Sequence, residues 1–374
     1  MSQKNSGKIK EVFSYFFKLG FIAFGGPAAH VALIQQELVE NRKWMNNQEF
    51  LDYLGATNLI PGPNSTEMTM HCGYHRAGPL GLFVAGLSFI IPAVAITLII
   101  AMFYEKYSSI EWLVPIINSI KAAVLAFILA AIYKLGKKAV KTKYLLLIGI
   151  VTFLASLFGL NEIIAILAAG LISILVYYST SNKVFSDAGA SILVLSTVAF
   201  SNLKLFLSFL KVGLVLFGSG YVLFAYLEGE FIDQLGWLTH SDLVEAIAIG
   251  QVTPGPILST ATFIGYKMGG VQGAILATVG IFGPSFFYAL LLHKFLKKMQ
   301  SSKVLKVFLD SVNVAAVAVM VAVTFNMARS ILLDINTVII AVLTCVVYFK
   351  YSKINALWII ISAALLGYIL NIVL

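Results

Sequence analysis

Charge and cysteine are what this chain of 374 residues has least of. Acidic and basic residues together supply only 11% of it, about half the ~25% typical of a water-soluble domain. The two cysteines, Cys72 and Cys345, form neither a CxxC pair nor a disulfide framework, so redox and zinc chemistry lack support. No HExxH, GxSxG or P-loop pattern occurs, which leaves an ATPase or a recognised hydrolase unsupported. The chain reads as no enzyme, and it implies no cofactor.

Apolar residues fill the space instead. They make up 59% of the chain, and the mean hydropathy is +0.91. Apolar runs recur at 79–104, 112–134, 143–158, 161–178, 203–227, 243–265, 271–294, 304–328, 335–349 and 354–373, many approaching the ~20 residues that cross hydrocarbon. Lone strands and irregular backbone cannot satisfy their polar groups in lipid, so an all-α polytopic transmembrane helical bundle is expected. The net charge of +9 does not point to nucleic acid, because the basic residues gather in short loops such as "YKLGKKAVKTK" (133–143) and "HKFLKKMQSSKVLK" (293–306). Such loops anchor a membrane protein on its cytoplasmic side. The N-terminal segment superficially has the basic and apolar regions of a signal peptide, but the same segment recurs in mid-chain, which argues against cleavage.

That recurrence is a duplication. "FFKLGFIAFGGPAAHVALIQQELVENRKW" (16–44) aligns with "FLKVGLVLFGSGYVLFAYLEGEFIDQLGW" (209–237) at an offset of 193, pairing Lys18 with Lys211, Phe24-Gly25 with Phe217-Gly218, Glu37 with Glu230 and Trp44 with Trp237. Pro61-Gly62-Pro63 meets Pro254-Gly255-Pro256; the offset then falls to 192, so that "GYHRAG" (73–78) meets "GYKMGG" (265–270) and Pro92 meets Pro284. Chance similarity between apolar helices would not preserve Gly, Pro and Trp spacing over such a length. Two repeats are placed at 1–185 and 200–374.

Equivalent loops carry opposite charge bias. The basic loop 134–143 corresponds to 329–335, with one Arg and one Asp, and the basic loop 294–306 corresponds to 105–111, with one Lys and two Glu. The positive-inside rule then places the repeats upside down relative to each other, as in many secondary transporters. Keeping both basic loops inside needs an even number of crossings between them. Either a weak segment at 187–201 crosses, or it lies outside the membrane while the PGP-interrupted segment is re-entrant; helices broken or re-entrant at the PGP motifs are expected, and the total stands between roughly ten and thirteen.

Several polar residues interrupt the apolar runs. "AFGGPAAH" (23–30) sets Gly25-Gly26 before Pro27, so a new helix is expected near Pro27. In "NLIPGPNSTE" (58–67), Asn64 is read as an N-cap and Glu67 as its capping-box partner or as an intramembrane carboxylate carrying a proton. Each break exposes backbone N–H groups at the positive end of a helix dipole, where an anion is stabilised. The first repeat keeps Asn58, Asn64, Ser65, Thr66 and Glu67 where the second has Gln251, Ile257, Leu258, Ser259 and Thr260, so the substrate is placed nearer the first.

Lys18 and Lys211 either lend positive potential to an anion path or snorkel to an interface. Lys121 lies deeper, with Asn118 one turn before it; the equivalent positions are Asp310 and Asn313. These four suit a substrate or proton role, or alternatively a Lys121–Asp310 ion pair across the symmetry axis. Glu37, Arg42 and Trp44 read as an interfacial anchor. "HCGYH" (71–75) is read as a helix end rather than a metal site.

"KLGFIAFGGPAAH", "LIPGPNSTE", "GYHRAG" and "IKAAVLA" in the first half, with "LFGSGY", "TPGP" and "SVNVAAVAV" in the second, resemble the chromate ion transporter (CHR) family in its two-domain form. The resemblance covers nearly the whole chain, and the combination of FGGP with PGPNSTE is specific. It implies chromate efflux across the bacterial inner membrane, with sulfate as a chemically related ligand; the alternative is a transporter or channel for another inorganic anion. The expected substrate contacts are Lys18, Gly25, Gly26, Asn58, Gly62, Asn64, Ser65, Thr66, Lys121, Lys211 and Asn313, with Glu67 and Asp310 for coupling protons. Expected partners are the oxyanion and the bilayer; the sequence leaves room for a homodimer.

Overall fold

Glycine and proline set the helix boundaries, and they set them twice. The computed structural model describes residues 2–24, 26–108, 110–180, 200–218, 220–300, 302–351, 354 and 356–373. In the first half α1 (Ser2–Ile22) stops short of the FGGP motif, and α2 (Pro27–Gln35) begins on its proline and continues as a π-helical turn, Gln36–Asn41. α3 (Asn47–Thr57) is opened by a capping box between Asn46 and Glu49 and ends before Pro61-Gly62-Pro63. α4 (Asn64–Tyr107), α5 (Val114–Ala139), α6 (Lys143–Leu157) and α7 (Glu162–Thr180) complete that half.

The second half repeats the series with α8 (Asn202–Val215), α9 (Leu223–Leu227) continuing as the π-helical Glu228–Gln234, and α10 (His240–Val252). α11 (Thr260–Gln300), α12 (Lys303–Ile331), α13 (Ile335–Lys350) and α14 (Ala356–Val373) follow. The apolar runs 203–227 and 243–265 are therefore each two helices joined at a break.

The early helices of each half form hairpins. Trp44 Nε1 donates to Glu11 Oε1 at 2.9 Å and the Tyr15 hydroxyl to Leu33 O at 3.4 Å, so α2 and its π turn run back along α1. Tyr53 of α3 stacks on His71 of α4 at 5.6 Å, which folds α3 back on α4 with the PGP turn as the tip. α4 itself reverses at Ala77 and Gly78, where the backbone leaves helical geometry. A Cβ on Gly73 would collide with the Gly81 carbonyl, so only glycine permits the two arms to lie this close. α11 reverses likewise at Gly269 and Gly270, with Gly265 against Gly273.

The contacts along α4 fix the relation of the halves. Its second arm, 79–107, is about 43 Å long at 1.5 Å per residue. It starts beside the base of the first-half hairpins, where Arg76 Nη2 meets Glu11 Oε2 at 2.7 Å. It ends with Tyr104 against Phe263, ring centroids 5.4 Å apart, near the base of the second-half hairpins. The two sets of hairpins thus enter from opposite faces. On the first-half face, Lys141 Nζ reaches Asp310 Oδ1 at 2.6 Å, bringing the basic loop after α5 to the same side as the start of α12.

The later helices are exchanged between halves. α6 and α7 pack on α12, while α13 and α14 pack on α5. α5 and α12 expose little of themselves: Ala122, Ala123, Ala126, Ala315 and Ala316 are fully buried, small residues that let helix backbones approach in an apolar solvent. The protein is an all-α, multi-pass membrane bundle; among the described residues five helical stretches are long and apolar enough to cross a bilayer, and α6, α13 and α14 are shorter apolar helices. Residues 187–199 of the weak segment lie outside the described residues.

Candidate functional site

A hairpin tip inside a membrane leaves backbone groups that must find partners elsewhere. Here the tips satisfy one another. Gly62 N donates to Leu216 O at 2.7 Å, and Gly255 N donates to Ala23 O at 2.8 Å. Gly62 and Gly255 occupy equivalent positions, as do Ala23 and Leu216, so each PGP tip is tied to the first break of the other half. The fit is close on both sides. Gly255 has φ +86°, and a Cβ there would stand 2.8 Å from Ala93 Cβ and 3.2 Å from Gly20 O. At Gly62, with φ +143°, a Cβ would run into the Glu67 carboxylate and stand 2.8 Å from Ser285 Oγ. Gly26 approaches the Tyr221 hydroxyl, 2.6 Å from where its Cβ would be.

Polar side chains ring this junction. The hydroxyls of Thr66 and Ser259, equivalent residues just inside the two PGP breaks, are buried without a protein partner, as are Ser285 Oγ and Gln251 Nε2. Ser65 Oγ lies 3.4 Å from His30 Nδ1, and His30 Nε2 lies 3.0 Å from Ala23 O. Buried donors ordinarily have acceptors. Donors without them, gathered at the N-termini of α2 and α4, form a setting in which oxygens of an anion supply the missing acceptors and the helix dipoles favour its charge. A cavity of about 510 Å3 opens beside Pro61, lined by Leu59, Ile60, Tyr288, Leu291 and Leu292 among others.

The capping box expected at Asn64 is not formed. Pro63 takes the N-cap position, Asn64 is the first helical residue, and no side chain caps this end. Asn64 Nδ2 instead donates to Asn58 Oδ1 at 2.6 Å, and Asn58 Nδ2 to Leu54 O at 2.9 Å, which laces the tip to α3. Glu67 is thereby released from capping. Its carboxylate is fully buried against Gly62, and neither oxygen has a hydrogen-bond partner.

Residues 10–174 and 203–368 each match the model of the chromate transporter family. The chain belongs to the chromate transporter family. It is 29% identical to a probable chromate transport protein of Synechococcus elongatus, over 96% of this chain and 95% of that one. It is 28% identical to a chromate transport protein of Cupriavidus metallidurans, over 96% and 92%. An uncharacterized transporter of Bacillus subtilis is 29% identical over 46% of this chain and 92% of its own length, so a relative about half as long exists. No solved structure matches the chain significantly. Members of the family are transport proteins rather than enzymes.

Within this family member the lysines stand apart from the tips. Lys18 is on the exposed side of α1. Lys211 Nζ is held by Glu230 Oε2 at 2.6 Å and Gln234 Oε1 at 3.1 Å. Lys121 Nζ pairs with Glu245 Oε1 at 2.7 Å and donates to Ser241 Oγ at 2.8 Å, while Glu245 also meets Lys267 Nζ at 3.1 Å. Asp310 is taken by Lys141. The Lys121–Asp310 ion pair is therefore absent, because the inverted arrangement puts the two residues at opposite faces. Asn313 sits at the second-half break, its Oδ1 3.5 Å from where a Gly218 Cβ would be. Gly25 lies outside the described residues.

Glu37, Arg42 and Trp44 join Glu11 and Arg76 in one interfacial cluster; Glu37 Oε1 accepts from Arg42 Nε at 2.6 Å, and the Arg76 guanidinium lies 5.3 Å from the Trp44 ring. His71 and His75 both border Tyr53. Sequence reasoning did not single out His30, Tyr221 or Ser285. Only Ser285 carried a signal, as the residue after Pro284 in a position equivalent to Ala93.

Proposed function

We propose that the protein exports chromate across the bacterial cytoplasmic membrane as a secondary transporter, the two halves rocking about the junction of the hairpin tips. The observation that carries this reading is the reciprocal pair of bonds from Gly62 to Leu216 and from Gly255 to Ala23, surrounded by buried donors without protein acceptors. Rocking can open one tip contact while keeping its counterpart, which is how alternating access uses a repeated architecture. A tetrahedral dianion needs several N–H and O–H donors plus partial positive charge. Gly26, Asn64, Ser65 and Thr66 supply them in the first half, Gly62 shapes the tip with its N–H held by Leu216, Asn58 positions Asn64, and Asn313 faces the second break.

Lys18, Lys121 and Lys211 act in this reading through the potential along the path rather than by contact at the tips. Glu67, buried at the PGP turn, is the better placed of the two proposed proton carriers, and Asp310 serves at the surface. Sulfate has the same shape and charge as chromate and fits the same donors. Every tip comes from one chain, so a homodimer would carry two sites.

Expression in a chromate-sensitive bacterium should lower cellular chromate. Unchanged accumulation despite confirmed membrane insertion would sink the chromate assignment. Flux of sulfate and molybdate into liposomes then tells whether another oxyanion is the substrate.

A further inference from the structure

A second group of buried polar side chains lies away from the tips, at the base of the second-half hairpins. Glu228 is 1% exposed. Its Oε1 lies 3.3 Å from His240 Nε2 and accepts from Asn326 Nδ2 at 3.2 Å, and its Oε2 has no partner. One turn along, the more exposed Asp233 stands near Glu162 at the start of α7. Two neighbouring carboxyl groups repel when both are charged, which favours a proton on one of them. Glu162 is 6% exposed, presses against Gly229 and also has an unpartnered Oε2. Burying a carboxylate so deeply is costly unless a cation stands beside it.

The nearby cations are otherwise engaged. Lys211 of α8 turns to Glu230; Lys121 of α5 and Lys267 of α11 are shared by Glu245 and Asp242 of α10; Arg329 of α12 lies over Phe325. That leaves His240, with 31% of its side chain exposed, as the basic group joining solvent to Glu228.

The first half holds the control. Gln35 and Asn47 are equivalent to Glu228 and His240, and Gln35 Nε2 donates to Asn47 Oδ1 at 2.8 Å. The same two positions thus pair in both halves. Only in the second are they titratable.

We propose that Glu162, Glu228, Asp233 and His240 form a proton-binding site on the face opposite the basic loops, loaded from solvent through His240. A proton arriving on His240 Nε2 is shared with Glu228 Oε1, 3.3 Å away. The pair between Glu162 and Asp233 holds a second proton. The Glu228 hydrogen bond holds the His240 imidazole above its usual pKa. Under the positive-inside rule this face is external, which makes the site an entry point for the proton gradient. Its role in coupling rests on the transport reading; proton binding itself does not.

The test counts protons taken up by the purified full-length protein between neutral and mildly acidic pH, without substrate. The double variant Glu228→Gln/His240→Asn installs the pair that the first half already folds around. It should lose about one proton of uptake relative to wild type while keeping its helix content and unfolding midpoint; Glu162→Gln should lose another. Identical uptake curves for wild type and variants would overturn the proposal, as would uptake that sodium abolishes, which would mark a metal-cation site. In proteoliposomes the acceleration of chromate flux by a pH gradient should disappear in the double variant. A wild type that moves no chromate but shows the proton difference would refute the substrate and leave the proton site standing.

Discussion

Replacing Gly255 by alanine probes the seating of a PGP tip more directly than any polar substitution. The residue has φ +86°, where a Cβ costs about 1–2 kcal/mol in backbone strain. The new methyl would also stand 2.8 Å from Ala93 Cβ and 3.2 Å from Gly20 O, closer than carbon atoms tolerate, and such overpacking adds about 1–3 kcal/mol. The sum is about 2–5 kcal/mol, and the two parts are separable. Ala93→Gly removes the atom in the way, so in a double-mutant cycle it should return the steric part and leave the dihedral strain.

The assay is reversible unfolding in mixed micelles of wild type, both single variants and the double variant. Ala93→Gly on its own should cost about 1 kcal/mol for a helical glycine. A coupling free energy within about 0.5 kcal/mol of zero is what independent sites give. That result would refute the contact between this tip and α4, and with it the junction on which the functional reading stands.

Three further outcomes follow from other parts of the molecule. Lys121→Ala leaves the buried Glu245 with Lys267 alone and should destabilise by about 2–3 kcal/mol; Lys121→Met/Glu245→Gln should restore most of it, and transport that returns along with stability would assign Lys121 a structural role only. Alanine at Asn64, Ser65 and Thr66 together should reduce chromate export at least tenfold, about 1.4 kcal/mol, whereas alanine at Ile257, Leu258 and Ser259 should reduce it less; equal effects would contradict the placement of the anion nearer the first half. Burial pushes the Glu11 carboxyl up, but its hydrogen bonds to Arg76 and Trp44 and the charges of Arg76 and Arg42 outweigh this and hold it below the usual carboxylate range. Its contribution to stability is then present above the ordinary carboxylate pKa and lost as pH falls through the lowered one. A Glu11→Gln variant should accordingly be about 1 kcal/mol less stable at neutral pH and equal to wild type in acid, and a gap that persists in acid would refute the pairing.

The sequence carried the architecture because glycine, proline and tryptophan mark backbone geometry, and geometry is what the duplication kept. The start of α2 at Pro27, the break at each PGP and a helix end near "HCGYH" were legible from that punctuation; that the chain reverses there, at Ala77 and Gly78, was not. Partnerships between side chains were not. Lys121 was matched with Asp310 from symmetry alone, but an inverted pair of repeats sends equivalent residues to opposite faces, and Glu245 took the role because α10 happens to start beside α5. The reading of Asn64 as an N-cap failed for a local reason, since Pro63 already has the extended dihedrals the position needs, φ −81° and ψ 97°. His30 and Tyr221 gave no signal at all, one histidine and one tyrosine in apolar runs, until folding brought Ala23, Ser65 and Gly26 to them.

What the halves kept and what they lost separates scaffold from chemistry. Both retain the tip glycines and the cross-bonds between them, and both bury a hydroxyl, Thr66 or Ser259, just past the break. Their charges have diverged: Glu67 stands where the second half has Thr260, Glu228 and His240 where the first has Gln35 and Asn47, and Lys121 where the second has Asn313. One member of each pair is neutral, so the two faces differ in charge, while the tips keep matching cross-bonds. The polar asymmetry, laid over a backbone that repeats, is therefore where the two halves have come to differ in chemistry.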